Sequence, residues 1–259
     1  MKIATFNING IKARIDALPQ WLEAAKPDAV ALQEIKSVDE NFPRELFENM
    51  GYRVETHGQK GFNGVAILSR LPLEDVRRGI PGDDSDEQAR WIEATVMGAR
   101  AVRLCGLYLP NGNPAPGPKY DYKLAWMARM ERHVQALLQA EEPLVVAGDY
   151  NVIPQPEDAA KPEAWLDDAL FRPETRAAFR RLINLGLTDA FRARHSAPGH
   201  YSFWDYQAGA WDRNNGIRID HLLLSPQAAD LLEDVQIDKA VRGGEKPSDH
   251  VPVWIDLAA

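Results

Sequence analysis

Eight apolar runs of strand length recur along the chain, at residues 3–8, 29–33, 65–68, 92–96, 102–109, 144–147, 219–224 and 251–257. Several mix Val, Ile and Leu without clean alternation, the pattern of strands covered on both faces. Helical patterns lie between them. Residues 15–25 set Leu18, Trp21 and Leu22 on one side, and residues 120–140 carry a stripe of Leu124, Met127, Met130, Val134, Leu137 and Leu138. Residues 175–185 carry Phe179, Leu182 and Ile183 and stop before Gly186, a residue suited to the turn after a helix. Nothing linker-like or low-complexity divides the chain, and the Gly/Pro-rich piece 110–118 reads as an ordered loop before the long helix. The pattern predicts an α/β fold in one domain over 1–259, with two sheets face to face and helices outside. No G-x-G-x-x-G or Walker sequence occurs, which argues against a nucleotide-binding doubly wound fold.

Polar residues sit where these runs end. Asn7 and Asn9 close the first run, Glu34 the second, and Asp149 and Asn151 the sixth. Asp220 lies in the seventh, and Asp249-His250 follow a Pro-Ser turn just before the eighth. Strand alternation predicts that Asn7 and Asn9 share a face, as do Asp149 and Asn151. Five such placements point to metal-assisted hydrolysis. An oxygen-only donor set with few carboxylates and several amides suits Mg²⁺, with Mn²⁺ as a substitute. Zinc is disfavoured, since the six histidines are scattered and neither H-x-x-x-H nor C-x-x-C occurs. His250 has a plausible orienting carboxylate in Asp220, and Tyr108, Asn111 and Asn151 add neutral donors for phosphate oxygens. A Ser-His-Asp acyl-transfer site is excluded by the lack of G-x-S-x-G; Ser248 has a simpler role in its turn.

The net charge of −8 argues mildly against a nucleic-acid partner, but carboxylates of a metal site contribute to it. Basic residues also cluster in pairs: Lys12 with Arg14, Arg77 with Arg78, Lys119 with Lys123, Arg192 with Arg194, and Arg213 with Arg218. The only cysteine, Cys105, lies in an apolar run and reads as buried filler, which fits a reducing compartment. With no secretory segment and no apolar run long enough for a bilayer, the expectation is a cytoplasmic protein without membrane contact.

In order along the chain, these segments resemble the exonuclease III and abasic-site endonuclease branch of the endonuclease/exonuclease/phosphatase superfamily. They are Thr5-Phe6-Asn7-Ile8-Asn9-Gly10, Leu32-Gln33-Glu34-Ile35-Lys36, Gly64-Val65-Ala66-Ile67, Tyr108-Leu109-Pro110-Asn111-Gly112, Gly148-Asp149-Tyr150-Asn151, Tyr201-Ser202-Phe203-Trp204-Asp205-Tyr206, Gly216-Ile217-Arg218-Ile219-Asp220 and Pro247-Ser248-Asp249-His250. The resemblance implies a four-layered α/β sandwich and Mg²⁺-dependent phosphodiester cleavage in double-stranded DNA, at abasic sites and blocked 3′ ends. It implies that Glu34 is the principal metal ligand, with Asn7 beside it and Asp249 near the metal. Asp149 would activate or position water, Asn151 would hold that water or a phosphate oxygen, and Asp220 would orient His250 against the phosphorane. Tyr108 and Asn111 would contact phosphate, Lys36 would stand beside the metal ligand, and Arg90 would touch the DNA backbone. Phe203, Trp204 and Ile217 would build an apolar pocket for a base-less sugar, which leaves the stack at lower cost than an intact nucleotide. A monomer without an obligatory protein partner is expected. Two other readings share the framework: a phosphodiesterase of inositol phosphates or sphingomyelin, and a binding module that has lost catalysis. The aromatic segment 201–206 and the Pro-Ser-Asp-His ending favour DNA over the first, and the full set of polar residues disfavours the second.

Overall fold

The computed structural model describes residues 1–258. Its strands, in chain order, are β1 (Lys2–Asn7), β2 (Ala29–Gln33), β3 (Arg53–His57), β4 (Val65–Ser69), β5 (Leu73–Arg78), β6 (Trp91–Met97), β7 (Ala101–Tyr108), β8 (Leu144–Asp149), β9 (Thr188–Asp189), β10 (Asp220–Leu224), β11 (Leu232–Ile237) and β12 (Val253–Leu257). They form two six-stranded sheets, ordered β11-β12-β1-β2-β4-β3 and β5-β6-β7-β8-β10-β9. Each sheet has one parallel pair at its centre, β1 with β2 and β7 with β8, and its other pairs are antiparallel. Read from opposite ends, the two orders superpose: β1 corresponds to β8, β2 to β7 and β12 to β10. The sandwich is pseudo-symmetric in strand order and in the placing of its parallel pairs.

The period of two explains both the core and the position of the polar residues. In β1, Ile3 faces the partner sheet while Ala4 and Phe6 face outward. In β8, Val145 and Ala147 face inward while Leu144 and Val146 face outward. Continuing each alternation places Asn7 and Asp149 on the inward face at the last strand position. The same count from Leu222 and Leu224 places Asp220 inward at the first position of β10. The inner layer of Ile3, Val65, Ile67, Ile92, Leu104, Val145, Leu222 and Ile255 is therefore apolar until one end of the sandwich, where it becomes polar.

Helices cover both outer faces. Helix α1 (Ala17–Ala25) sets Leu18, Trp21 and Leu22 against Phe6, Val30 and Leu32, with α2 (Arg44–Asn49) beside it through Phe47. Helix α3 (Pro118–Leu138) and α4 (Pro173–Asn184) set Trp126, Met127, Met130, Val134, Phe179 and Leu182 against Leu107, Leu144 and Val146. Two short helices, α5 (Ala190–Arg194) and α6 (Pro226–Ala229), flank β10. Gly186, at φ +109°, follows α4 as the sequence predicts. This is a four-layered sandwich.

All eight predicted runs carry strands. The last begins at Val253 rather than 251, because Pro252 has no N–H for the ladder. The four strands without a predicted run are β3, β5, β9 and β11, and these are the four sheet edges. Edge strands such as Leu73–Arg78 carry charge in place of apolar cover, so no apolar run marks them.

Candidate active site

Both central parallel pairs end at the polar end of the sandwich, and the turn that follows is built alike in each half. The Asn9 N–H donates to Asn7 Oδ1 at 3.0 Å, and the Asn151 N–H donates to Asp149 Oδ1 at 2.8 Å. Both Asn9 and Asn151 adopt φ +46°. The strands have ended before these residues, so they do not share a strand face with Asn7 and Asp149 as the alternation had predicted. A short polar side chain that closes an Asx turn and tolerates the left-handed region replaces the extended pair. Glu34 and Lys36, both at φ +50°, belong to the same strained rim. The Gly10 N–H donates to the Glu34 carbonyl and the Ile11 N–H to the Ile35 carbonyl, which joins the loop after β1 to the loop after β2.

Two side chains on the first sheet's side, Asn7 at the end of β1 and His250 just before β12, bring the two halves together. Asn7 Nδ2 donates to Glu34 Oε1 at 3.0 Å and to Asp149 Oδ2 at 2.9 Å, bridging a carboxylate from each sheet. His250 Nδ1 meets Asp220 Oδ2 at 2.8 Å, and its Nε2 lies 3.6 Å from Asp149 Oδ2. Carboxylate oxygens of Glu34 and Asp149 and a ring nitrogen of His250 thus lie within 4.8 Å of one another. Ser202 Oγ donates to Asp220 Oδ2 at 2.6 Å and accepts the Asp220 N–H, fixing the carboxylate that orients His250. Ser248 Oγ donates to the Asn7 carbonyl and accepts the His250 N–H, so it has the turn role expected of it.

The electrostatics of this cluster are uneven. Burial raises the Asp149 pKa to about 7; Asp220 adds to the rise, and His250 opposes it. Burial opposes a charged His250, but Asp220 and Asp149 outweigh it and raise the imidazole pKa to about 10. Burial would also raise Glu34, but Asn7 and Lys36 hold it below the ordinary carboxylate value. Burial, Glu34 and Asp149 keep the Tyr108 hydroxyl well above its ordinary pKa and therefore protonated. Two carboxylates share one amide and one imidazolium here, which leaves negative charge incompletely matched. Hard oxygens with one histidine already held as a cation fit a divalent, oxygen-seeking ion.

A cleft of about 310 Å³ opens over the cluster. Glu34, Tyr108, Asn111, Asp149, Asn151, Asp249 and His250 form its polar floor, and Phe203, Ile217, Ile219, Trp165 and Leu170 form an apolar wall. Of the other expected residues, Asn7 and Asp220 are buried directly beneath, and Lys36 Nζ reaches Glu34 Oε2 at 3.0 Å. Asn111 Nδ2 donates to Asn151 Oδ1 at 3.3 Å. Asp249 Oδ1 accepts from Asn9 Nδ2 at 3.0 Å. Arg90 lies behind Tyr108, 4.9 Å over its ring and bonded to its carbonyl. The Phe203 ring meets the His250 imidazole edge-on at 5.0 Å.

Three expectations need correction in place. Trp204 is 0% exposed and packs among Tyr201 and Trp211, away from the cleft. Trp165 and Leu170, from a segment without readable periodicity, stand on the wall instead. Asn7 turns its NH₂ to the carboxylates, while its oxygen is held by Asn9. Two members of the basic pairs, Lys123 and Arg218, are buried rather than surface charges; Arg218 is paired with Asp158 and Asp189.

Residues 4–250 match the Endonuclease/Exonuclease/phosphatase family. The chain is 39% identical to exodeoxyribonuclease III of Haemophilus influenzae, covering 99% of this chain and 100% of that one. It is 32% identical to a Bacillus subtilis exodeoxyribonuclease, over 98% of each. Among solved structures, a 3′ phosphatase from Neisseria bound to product DNA hairpin superposes with a TM-score of 0.96 at 37% identity, and an AP endonuclease from Archaeoglobus fulgidus with 0.95 at 36%; each match covers all of both chains.

Proposed function

The chain belongs to the Endonuclease/Exonuclease/phosphatase family, and from that premise we propose that it is a DNA-repair nuclease of the exodeoxyribonuclease III type. It is a phosphodiester hydrolase that cuts duplex DNA 5′ to abasic sites, removes nucleotides from 3′ ends and removes 3′-phosphates. The observation that carries this reading is the meeting of Glu34, Asp149 and His250 within 4.8 Å, under a cleft with one apolar wall.

The residues divide the work as follows. Asp149 accepts a proton from the attacking water and aims that water at phosphorus. Water oxygen bonds to phosphorus as the bond to the upstream 3′ oxygen breaks in line; that oxygen takes a proton from solvent, leaving a 3′-hydroxyl and a 5′-phosphate on the base-less sugar. His250, held charged by Asp220, directs its Nε2–H toward a phosphoryl oxygen, where negative charge builds. Tyr108, Asn111 and Asn151 donate to the remaining phosphate oxygens. Phe203 and Ile217, with Trp165 and Leu170, receive the apolar edge of the sugar and exclude an intact base by size. Glu34 would be the principal residue holding the divalent cation, with Asp149 and Asp249 as the further carboxylates and Asn7 orienting Glu34 and Asp149 through its NH₂. That cation, Mg²⁺ or Mn²⁺, supplies charge neutralisation at the phosphate. Lys36 neutralises the far side of Glu34, and Arg90 steadies Tyr108 from behind and meets the DNA backbone at the rim. We place the protein in the cytoplasm as a single-domain monomer.

The test is a labelled duplex with one abasic-site analogue, run beside an intact duplex with a recessed 3′ end and one with a 3′-phosphate. The expected result is Mg²⁺-dependent incision 5′ to the analogue and trimming of both ends. An enzyme inert on all three, but active on an inositol phosphate or sphingomyelin, would overturn the reading.

A further inference from the structure

Lys123 is a fully buried lysine, in the first half of α3 and beneath the site. Its Nζ donates to two backbone carbonyls, Asn111 at 3.0 Å and Asn151 at 2.6 Å. Those two residues are the ones whose side-chain amides meet in the cleft, and they sit on different loops, one after β7 and one after β8. We propose that Lys123 is a positioning residue for this site, holding the two loops in register so that the Asn111 and Asn151 amides face the reacting phosphate.

Three observations support this. Placing an ammonium in the core is expensive, and methionine would fill the same volume without that cost. Burial pulls the lysine pKa down to about 7, with Asp149 and Asp168 only partly restoring it. Such a charge, held against the packing preference at a functional site, marks a constraint other than stability. Second, the space around the side chain is shaped for it. Gly112, at φ +90°, lies where a Cβ would stand 2.6 Å from Lys123 Cδ, so the loop is kept open over the lysine stem. Third, Asn151 is in the left-handed region and depends on outside contacts to stay there: its Nδ2 donates to the Leu109 carbonyl at 2.9 Å, and its own carbonyl is the shorter of the lysine's two bonds. Among the described residues no other side chain bonds both carbonyls, so without Lys123 the amides can turn while the fold persists.

The inference rests on the nuclease reading above, and the experiment separates the two. The wild type is first assayed on the abasic-analogue duplex; failure there sinks the nuclease reading itself. With activity in hand, Lys123→Met is expected to keep a cooperative melt, with Tm lowered by no more than about 5–10 °C. Its kcat should fall about 10- to 100-fold, with KM and duplex affinity within about 3-fold of wild type. Asn151→Ala supplies the second arm. If the lysine works through that amide, the double variant Lys123→Met/Asn151→Ala should be within about 3-fold of Asn151→Ala alone. Wild-type kcat in Lys123→Met would overturn the proposal, as would losses that multiply in the double variant. A Lys123→Met protein without a cooperative melt, or with kcat and affinity lost together, would assign the lysine to the fold and overturn it equally.

Discussion

Two buried carboxylates on the same sheet, Glu93 on β6 and Asp149 on β8, are each 1% exposed. Their surroundings differ in sign. Glu93 accepts from Trp91 Nε1 at 2.9 Å, Arg103 Nη2 at 2.6 Å and His133 Nε2 at 2.8 Å. Burial would raise it, but the His133 and Arg103 bonds overturn that and bring its pKa down to about 2. Asp149 has one backbone N–H, one shared amide and one imidazole at longer range, and it has Asp220 and Glu34 as neighbours. Its pKa goes the other way, to about 7. The outward-facing cluster is complete in itself and stabilises the fold. The inner one is left short of positive charge, which is the condition a site needs if a cation and a phosphate are to be drawn into it.

The largest effect that could break this contrast is on turnover. Asp149→Asn is expected to lower kcat by about 10³ or more, and His250→Ala by about 10² or more, each with duplex affinity within a few-fold of wild type. Glu93→Gln should leave kcat at 25 °C unchanged. Steady-state kinetics beside equilibrium binding reads all three, and equal loss of rate and affinity in His250→Ala would remove it from the chemistry. EDTA should abolish wild-type activity and Mg²⁺ or Mn²⁺ should restore it. Full activity in chelator would leave the unmatched charge of Asp149 and Glu34 without a purpose.

Stability should show the same contrast with opposite slopes. Glu93 has a folded pKa below its unfolded value, so its contribution is fully present above about pH 4.5 and is lost as pH falls toward about 2. Glu93→Gln should therefore cost roughly 2–3 kcal/mol at pH 7, or about 5–10 °C in Tm, and the cost should shrink below pH 4. Asp149 has a folded pKa above its unfolded value. Its favourable contribution is complete below about pH 4 and is lost as pH rises through about 7. In chelator, the wild type should lose stability relative to Asp149→Asn across pH 4 to 7, and Mg²⁺ should flatten that difference. Thermal melts of the three proteins from pH 3 to 8 would read it; parallel curves would show that the two carboxylates are equivalent.

How much of this was legible beforehand depends on what each residue answers to. The inner strands were readable because burial on both faces leaves no polar position to break an apolar run, as at 29–33 and 144–147. The edges were not, because Arg53–His57 and Leu73–Arg78 satisfy solvent as much as the sheet. The polar residues at strand ends were readable as a set, since an Asn, Glu or Asp at the end of a buried run has few other reasons to be there. Their local geometry was not: Asn9 and Asn151 are in the neighbourhood expected of them, but by a left-handed turn instead of strand alternation. In the sequence Lys123 is only half of a basic pair, because only tertiary contact reveals that α3 turns it inward to two carbonyls.

The smallest expected effect concerns the cleft wall, where sequence and structure disagree about which tryptophan matters. Trp204 sits beside Phe203 in the sequence but packs edge-on against Trp211 at 5.0 Å, with its Nε1 donating to Asn214 at 3.2 Å. Trp165 ends a short 3₁₀ helix (Pro162–Trp165) far from Phe203 in the chain, yet lines the cleft with Leu170. A wall that admits a sugar by shape contributes to binding in the ground state and the transition state alike, so its loss should appear in KM. Trp165→Ala is expected to raise KM for the abasic duplex about 3- to 10-fold with kcat within 2-fold. Trp204→Phe, which keeps an aromatic ring in the core, should change KM by less than about 2-fold while lowering Tm by a few degrees through the lost Asn214 bond. The reverse order, with KM responding to Trp204 and not to Trp165, would mean that the cleft reshapes around DNA and that the wall seen without it is not the wall that selects the sugar.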